Sequence, residues 1–121
     1  MTILLINTSV NTPSVSLVHD DSRRADKPIV ADRTIGSQLL SAIDEALEQL
    51  QITKKDINRI AVHVGPPAGS LMALRTGIIT ADMLAKSLKC DLVAVQGESQ
   101  TELLQEAAVK EPTSTIKTVY N

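Results

Sequence analysis

Aromatic side chains are almost missing from this 121-residue chain: Tyr120 stands alone, with no Phe and no Trp. Any core must be built from Leu, Ile, Val and Ala, and binding of single-stranded nucleic acid by base stacking has no platform. Cysteine is equally scarce. Cys90 alone excludes an internal disulfide and leaves no zinc cluster to build. Neither His19 nor His63 has a second His or Cys at ligand spacing, so no metal site is expected. Basic charge is not in excess either, with 12 Lys and Arg against 14 Asp and Glu. The chain by itself is therefore not expected to attract nucleic acid. No apolar run approaches the ~20 residues of a membrane span, and "MTILLINTS" lacks the basic leader of a signal peptide. The expectation is a soluble cytoplasmic protein with no membrane partner.

What is present suffices for a core, since 43% of residues are hydrophobic. "TILLIN" is a short branched-chain run, as in a buried strand, and "SVSLVH" alternates apolar and polar residues. The intervening "TSVNTP" is a turn, "DDSRRADK" reads as a solvated hairpin tip, and "PIVADRT" as a third strand. From Ser37 the period becomes helical, with Leu39, Ile43, Leu47 and Leu50 on one side. "TKKD" places Thr53 three residues before Asp56, a short capped turn. "RIAVHVG" and "DLVAV" read as strands on either side of a long helix, "SLMALRTGIITADMLAKSL". "SQTELLQEAAVK" opens with Ser99 three residues before Glu102, the spacing of a capping box, and Pro112 closes that helix. The order β-β-β-α-β-α-β-α predicts an α/β domain over residues 1–110, a mixed five-stranded sheet with helices packed on it. Residues 111–121 form a tail in which Thr115 to Tyr120 can begin a further strand.

Three stretches attract functional attention. Asn7-Thr8-Ser9 lies where the first strand runs into a turn, a common place for binding residues. A phosphotransfer enzyme of this topology would want a carboxylate at position 7, and neutral Asn7 is a poor anchor for magnesium. "VGPPAGSLMALRTG" looks like a phosphate loop but lacks the Lys-Ser/Thr pair of a Walker sequence. Gly69 and Ser70 at a helix N-terminus suit an anion, whereas Pro66 and Pro67 remove two amide donors. The competing reading makes Ser70 a helix N-cap. The third stretch is the long helix itself. Leu71, Leu74, Ile78 and Ala85 mark one apolar stripe and Met72, Ile79 and Met83 another, so burial on two sides is expected. Leu40, beside the main stripe of the first helix, extends the outer patch.

In order and spacing, "ILLINTSVNTPSVSLV", "RTIGSQLLSAIDEAL", "ITKKDINRIAVHVGPPAGSLMALRTGIITADMLAKSL" and "CDLVAVQGES" resemble the N-terminal half of the TsaB (YeaZ) family. The Gly-Ser…Leu-Arg-x-Gly segment is the most specific part. The resemblance implies a ribonuclease-H-like, actin-like ATPase half, the first of two related domains. It implies a catalytically degenerate subunit of the machinery that places threonylcarbamoyl on an adenosine of tRNA. Such a subunit pairs with a TsaD-like subunit, indirectly with a TsaE-like ATPase, or with itself as a dimer. The interface it implies uses the first two helices: Leu39, Leu40, Ile43 and Leu47 with Leu71, Met72, Arg75, Ile79 and Met83. No cofactor is then expected on this chain, ATP and magnesium belonging to the wider complex. Departures are visible: Asn7 stands where the family has Asp, Gly36 where it has His, and Leu71-Met72-Ala73 replaces Phe-Thr-Gly. The alternative is a small nucleotide-binding or phosphotransfer enzyme using Thr8, Ser9, Gly69 and Ser70.

Overall fold

The run Thr2–Asn7 forms strand β1, and all six of its residues are buried, the mark of a strand covered on both faces. A computed structural model describes residues 1–112 of the chain. After β1 come β2 (Ser14–His19), β3 (Arg23–Pro28), helix α1 (Ile35–Leu50), a 3-10 turn (Lys54–Asp56), β4 (Arg59–His63), α2 (Leu71–Leu88), β5 (Asp91–Val95) and α3 (Gln100–Val109). The strands lie in the order β3-β2-β1-β4-β5. β1 pairs antiparallel with β2 and parallel with β4, and β4 pairs parallel with β5. The mixed α/β sheet expected from the sequence is the one found.

Side chains alternate across this sheet. Leu4, Ile6, Val15, Leu17, Ile60, Val62 and Leu92 join the buried faces of α1 and α2 in one core. Ile3, Leu5, Ala61, Val93 and Val95 join Leu103 and Ala107 of α3 in a smaller one on the other side. Each fully buried Leu, Ile or Val contributes roughly 1.5–3 kcal/mol, so an aliphatic core suffices without aromatics.

The third strand is not "PIVADRT" but the charged run before it, which pairs along all of β2 from His19↔Arg23 to Ser14↔Pro28. The reason is its place at the sheet edge. One inward residue, Ala25, packs beneath the core beside Leu17, and the charges on the rest discourage pairing with a further strand. Asp20 and Asp21 take left-handed backbone angles, φ 53° and 62°, to make the tight turn before it. Arg23 then donates to the Leu50 carbonyl at the open end of α1.

Asp56 accepts the Thr53 amide at 2.8 Å, as the capped turn requires. At α3 the expected box is half formed. Ser99 Oγ accepts the Glu102 amide at 3.1 Å, but the Glu102 carboxylate turns to the Glu98 amide at 3.0 Å. Buried Arg59 ties the far end of α3 to the sheet, donating to the carbonyls of Ala107 and Lys110 at 3.0 and 2.7 Å. The expected strand at Thr115 to Tyr120 lies outside the described residues. Among those described, no helix is long and apolar enough to cross a membrane.

Candidate functional site

The turn after β1 and the loop after β4 meet at the carboxyl ends of the parallel strands, where α/β sheets bind ligands. Asn7 is buried, and its carboxamide oxygen accepts the Ser9 hydroxyl at 3.1 Å, so the side chain builds its own turn. The loop beyond β4 is equally self-occupied. Gly65 donates its amide to His63 Nδ1 at 3.0 Å. Pro66 and Pro67 have none to offer. The amides of Ala68 and Gly69 both point to the Ser9 carbonyl, at 2.6 and 3.2 Å. Every amide from 65 to 69 is therefore accounted for within the chain. Ser70 Oγ accepts the Ala73 amide at 3.2 Å and caps α2.

Between the two turns lies a cleft of about 300 Å³, lined by Asn7, Ser9, His63, Ala68, Gln96 and Glu98, among others. Of Thr8, Ser9, Gly69 and Ser70, Ser9 alone lines it. Thr8 is wholly buried beneath α2: a Cβ on Gly77 would stand 2.0 Å from its hydroxyl. Gly69 passes the Val10 carbonyl so closely that a Cβ would come within 2.7 Å of its oxygen. The glycines of the loop and helix thus serve close packing.

Gln96, Gly97 and Glu98 were not legible as site residues. They follow β5, and the parallel register His63↔Val95 brings them beside His63. His63 is 7% exposed, and its Nε2 lies 3.2 Å from the Gly97 carbonyl. Burial holds its pKa below the ordinary 6.5, against the opposing pull of the Gly97 carbonyl and Glu106. Among the described residues no three His, Cys, Asp or Glu side chains are grouped as a metal would need. Cys90 lies away from the cleft, beside the turn from α2 to β5, and burial pushes its thiol above the ordinary value.

The helix layer presents the other candidate. Leu39, Ile43 and Leu47 are 0%, 2% and 5% exposed and sit in the main core. The expectation that they form a surface interface is corrected, because the helical stripe they share is the one facing the sheet. Leu71, grouped from the sequence with Leu74, Ile78 and Ala85, is exposed instead, and Ala73, Leu74, Gly77, Ile78, Ala81 and Ala85 are the buried set. Leu40 (49%), Met72 (46%), Ile79 (59%) and Met83 (65%) remain open on the outer side, with Arg75 exposed among them. Neither α1 nor α3 covers them.

The family model for TsaD, tRNA N6-adenosine threonylcarbamoyltransferase, matches residues 25–113, most of the chain. The chain belongs to this family. Its fold is that of a TsaB-like N-terminal domain. YeaZ from Pseudomonas aeruginosa superposes with a TM-score of 0.70 at 27% identity, covering 78% of this chain and 43% of its own. The crystal structure of an uncharacterized protein with similarity to peptidase YEAZ, from the same organism, gives the same figures. This chain thus spans less than half the length of those TsaB-like structures. RuvC of Thermus thermophilus, at TM-score 0.56 and 8% identity over 93% of this chain, shares the ribonuclease-H-like fold alone. No curated protein matches at significance.

Proposed function

We propose that this TsaD-family chain is a non-catalytic partner subunit of the tRNA threonylcarbamoyladenosine machinery in the cytoplasm. It binds a TsaD-like subunit through the outer face of α1 and α2, with a homodimer as the other use of that surface. The observation that carries this reading is the strip Leu40, Leu71, Met72, Ile79 and Met83, five large apolar side chains left exposed on neighbouring helices. Large apolar side chains gathered in the open on neighbouring helices mark interaction sites, and flexible methionines adapt to a partner. Leu39, Ile43 and Leu47 act beneath it, holding α1 to the sheet.

The non-catalytic half of the proposal draws on the cleft. Asn7 has no charge to hold a magnesium ion or its water shell, and its oxygen is engaged by Ser9. The loop amides that would cradle phosphate are engaged by His63 and Ser9. Catalysis and nucleotide then belong to the TsaD-like partner, and a TsaE-like ATPase is met only through it. A net charge of -2 gives the chain no direct hold on tRNA.

Light scattering behind a sizing column, on the chain alone and mixed with a TsaD-like protein, tests this. The expected result is a stable mixed complex. Met83→Asp, Met72→Asp and Arg75→Glu should each weaken it about tenfold or more, as truncation of an interface anchor does, with the fold unchanged. Full association of all three variants, or a monomer indifferent to the partner, overturns the proposal.

A further inference from the structure

His63 uses both ring nitrogens, and they reach two different loops. Nδ1 accepts the Gly65 amide at 3.0 Å, so the proton of the neutral ring sits on Nε2, which donates to the Gly97 carbonyl 3.2 Å away. One imidazole thereby links the loop from β4 to α2 with the loop from β5 to α3. A second link runs alongside, from Gln96 Nε2 to the Gly65 carbonyl at 2.9 Å. Both loops line the cleft. We propose that His63 is a proton-sensitive clasp between these two loops at the cleft, closed when the ring is neutral and released on the Gly65 side when it is charged.

The chemistry makes the release one-sided. An added proton must go to Nδ1, where it meets the Gly65 N–H, donor against donor. The bond from Nε2 to Gly97 survives. The Gly65 amide is released at the start of the loop that launches α2, while Gln96 still holds the Gly65 carbonyl and the loop that launches α3 stays attached. The carboxylate that favours the charged state is Glu106 of α3, and Glu98 lines the same cleft from the β5–α3 loop. Glu102 of α3 is held by the Glu98 amide. The β1–β2 turn contributes only the neutral residues Asn7, Ser9 and Val10. Burial outweighs Glu106 and holds the ring's pKa below its ordinary value, favouring the neutral form.

His19 is a built-in control. It ends β2 opposite Thr2, at the other end of the sheet, with Thr2 Oγ1 2.6 Å from its Nδ1. The experiment is an NMR titration of the full chain from pH 7.5 to 5, following both imidazoles and the exchange of the Gly65 amide. Corrected for intrinsic pH dependence, that exchange should accelerate about fivefold or more, the effect of one lost hydrogen bond. Its midpoint should coincide with that of His63. In His63→Asn, the carboxamide oxygen takes the place of Nδ1 and does not titrate, so Gly65 should stay protected across the range. Constant protection of Gly65 in the wild type overturns the proposal, as does an acid response that persists in His63→Asn.

Discussion

The loop from 65 to 70 and the outer face of α2 meet at Ser70, yet they behave in opposite ways. The loop has the spelling of a ligand site, and its hydrogen-bonding groups are turned inward onto Ser9, His63 and the first turn of the helix. The helix face has no recognisable spelling and leaves Met72, Ile79 and Met83 open. Availability decides what a region can do. A donor already paired within the chain must break that bond to serve a ligand, whereas an exposed methionine has only water to lose.

The sharpest break in this comparison lies between neighbours on α1. Leu39 is wholly buried and Leu40 is half exposed. Leu39→Ala should therefore cost about 2–5 kcal/mol of stability, through lost transfer free energy and the cavity left behind. Leu40→Ala should stay within about 0.5 kcal/mol. Urea unfolding of both variants measures the difference. Equal costs would mean that the outer face is already covered in the free chain, and the contrast between the two faces would disappear.

A smaller effect tests whether the glycines serve packing. At Gly77 a Cβ would lie 2.0 Å from Thr8 Oγ1 and 3.0 Å from Thr8 Cβ. The first contact can be relieved by turning the threonine. The second requires α2 to move off the sheet. Gly77→Ala should cost about 1–3 kcal/mol, the usual penalty of overpacking. Adding Thr8→Ala removes the hydroxyl and methyl but keeps the Cβ, so it should restore part of that loss. A double-mutant cycle in urea reads the coupling. Additive behaviour would separate the two residues and return Gly77 to other roles.

These particulars show what was legible in the sequence. The helices were, because Leu39, Ile43, Leu47 and Leu50 repeat with the helical period and the core needs that stripe. β3 was not. An edge strand buries little, and Ala25 among charges carries no alternating signal. For the same stripe, the period could reveal that Leu39 and Ile43 share a face but not whether the sheet or a partner lies against it. A third of the cleft's lining was out of reach as well, since Gln96, Gly97 and Glu98 come beside the β4 loop only through the register of β4 on β5. Ser70 was readable in two ways, and its hydrogen bond to Ala73 is what separates them.

That separation gives the smallest expected effect and the most direct test of the loop. As an N-cap, Ser70 should lose about 1 kcal/mol on conversion to Ala and nearly nothing on conversion to Asp, which caps as well as serine. Its carboxylate also favours the positive end of the α2 dipole. A phosphate site predicts the reverse for Asp, because a second anion would repel the ligand. Thermal unfolding of the wild type, Ser70→Ala and Ser70→Asp, each with and without millimolar magnesium-ATP, distinguishes these cases. The expected outcome is an Ala variant that melts lower, an Asp variant that melts with the wild type, and no shift with nucleotide in any of the three. A nucleotide-dependent rise that Asp abolishes would mean that Ala68 and Gly69 release Ser9 to bind phosphate. The loop would then be a ligand site that opens on demand, and the comparison with the helix face would become one of two working surfaces.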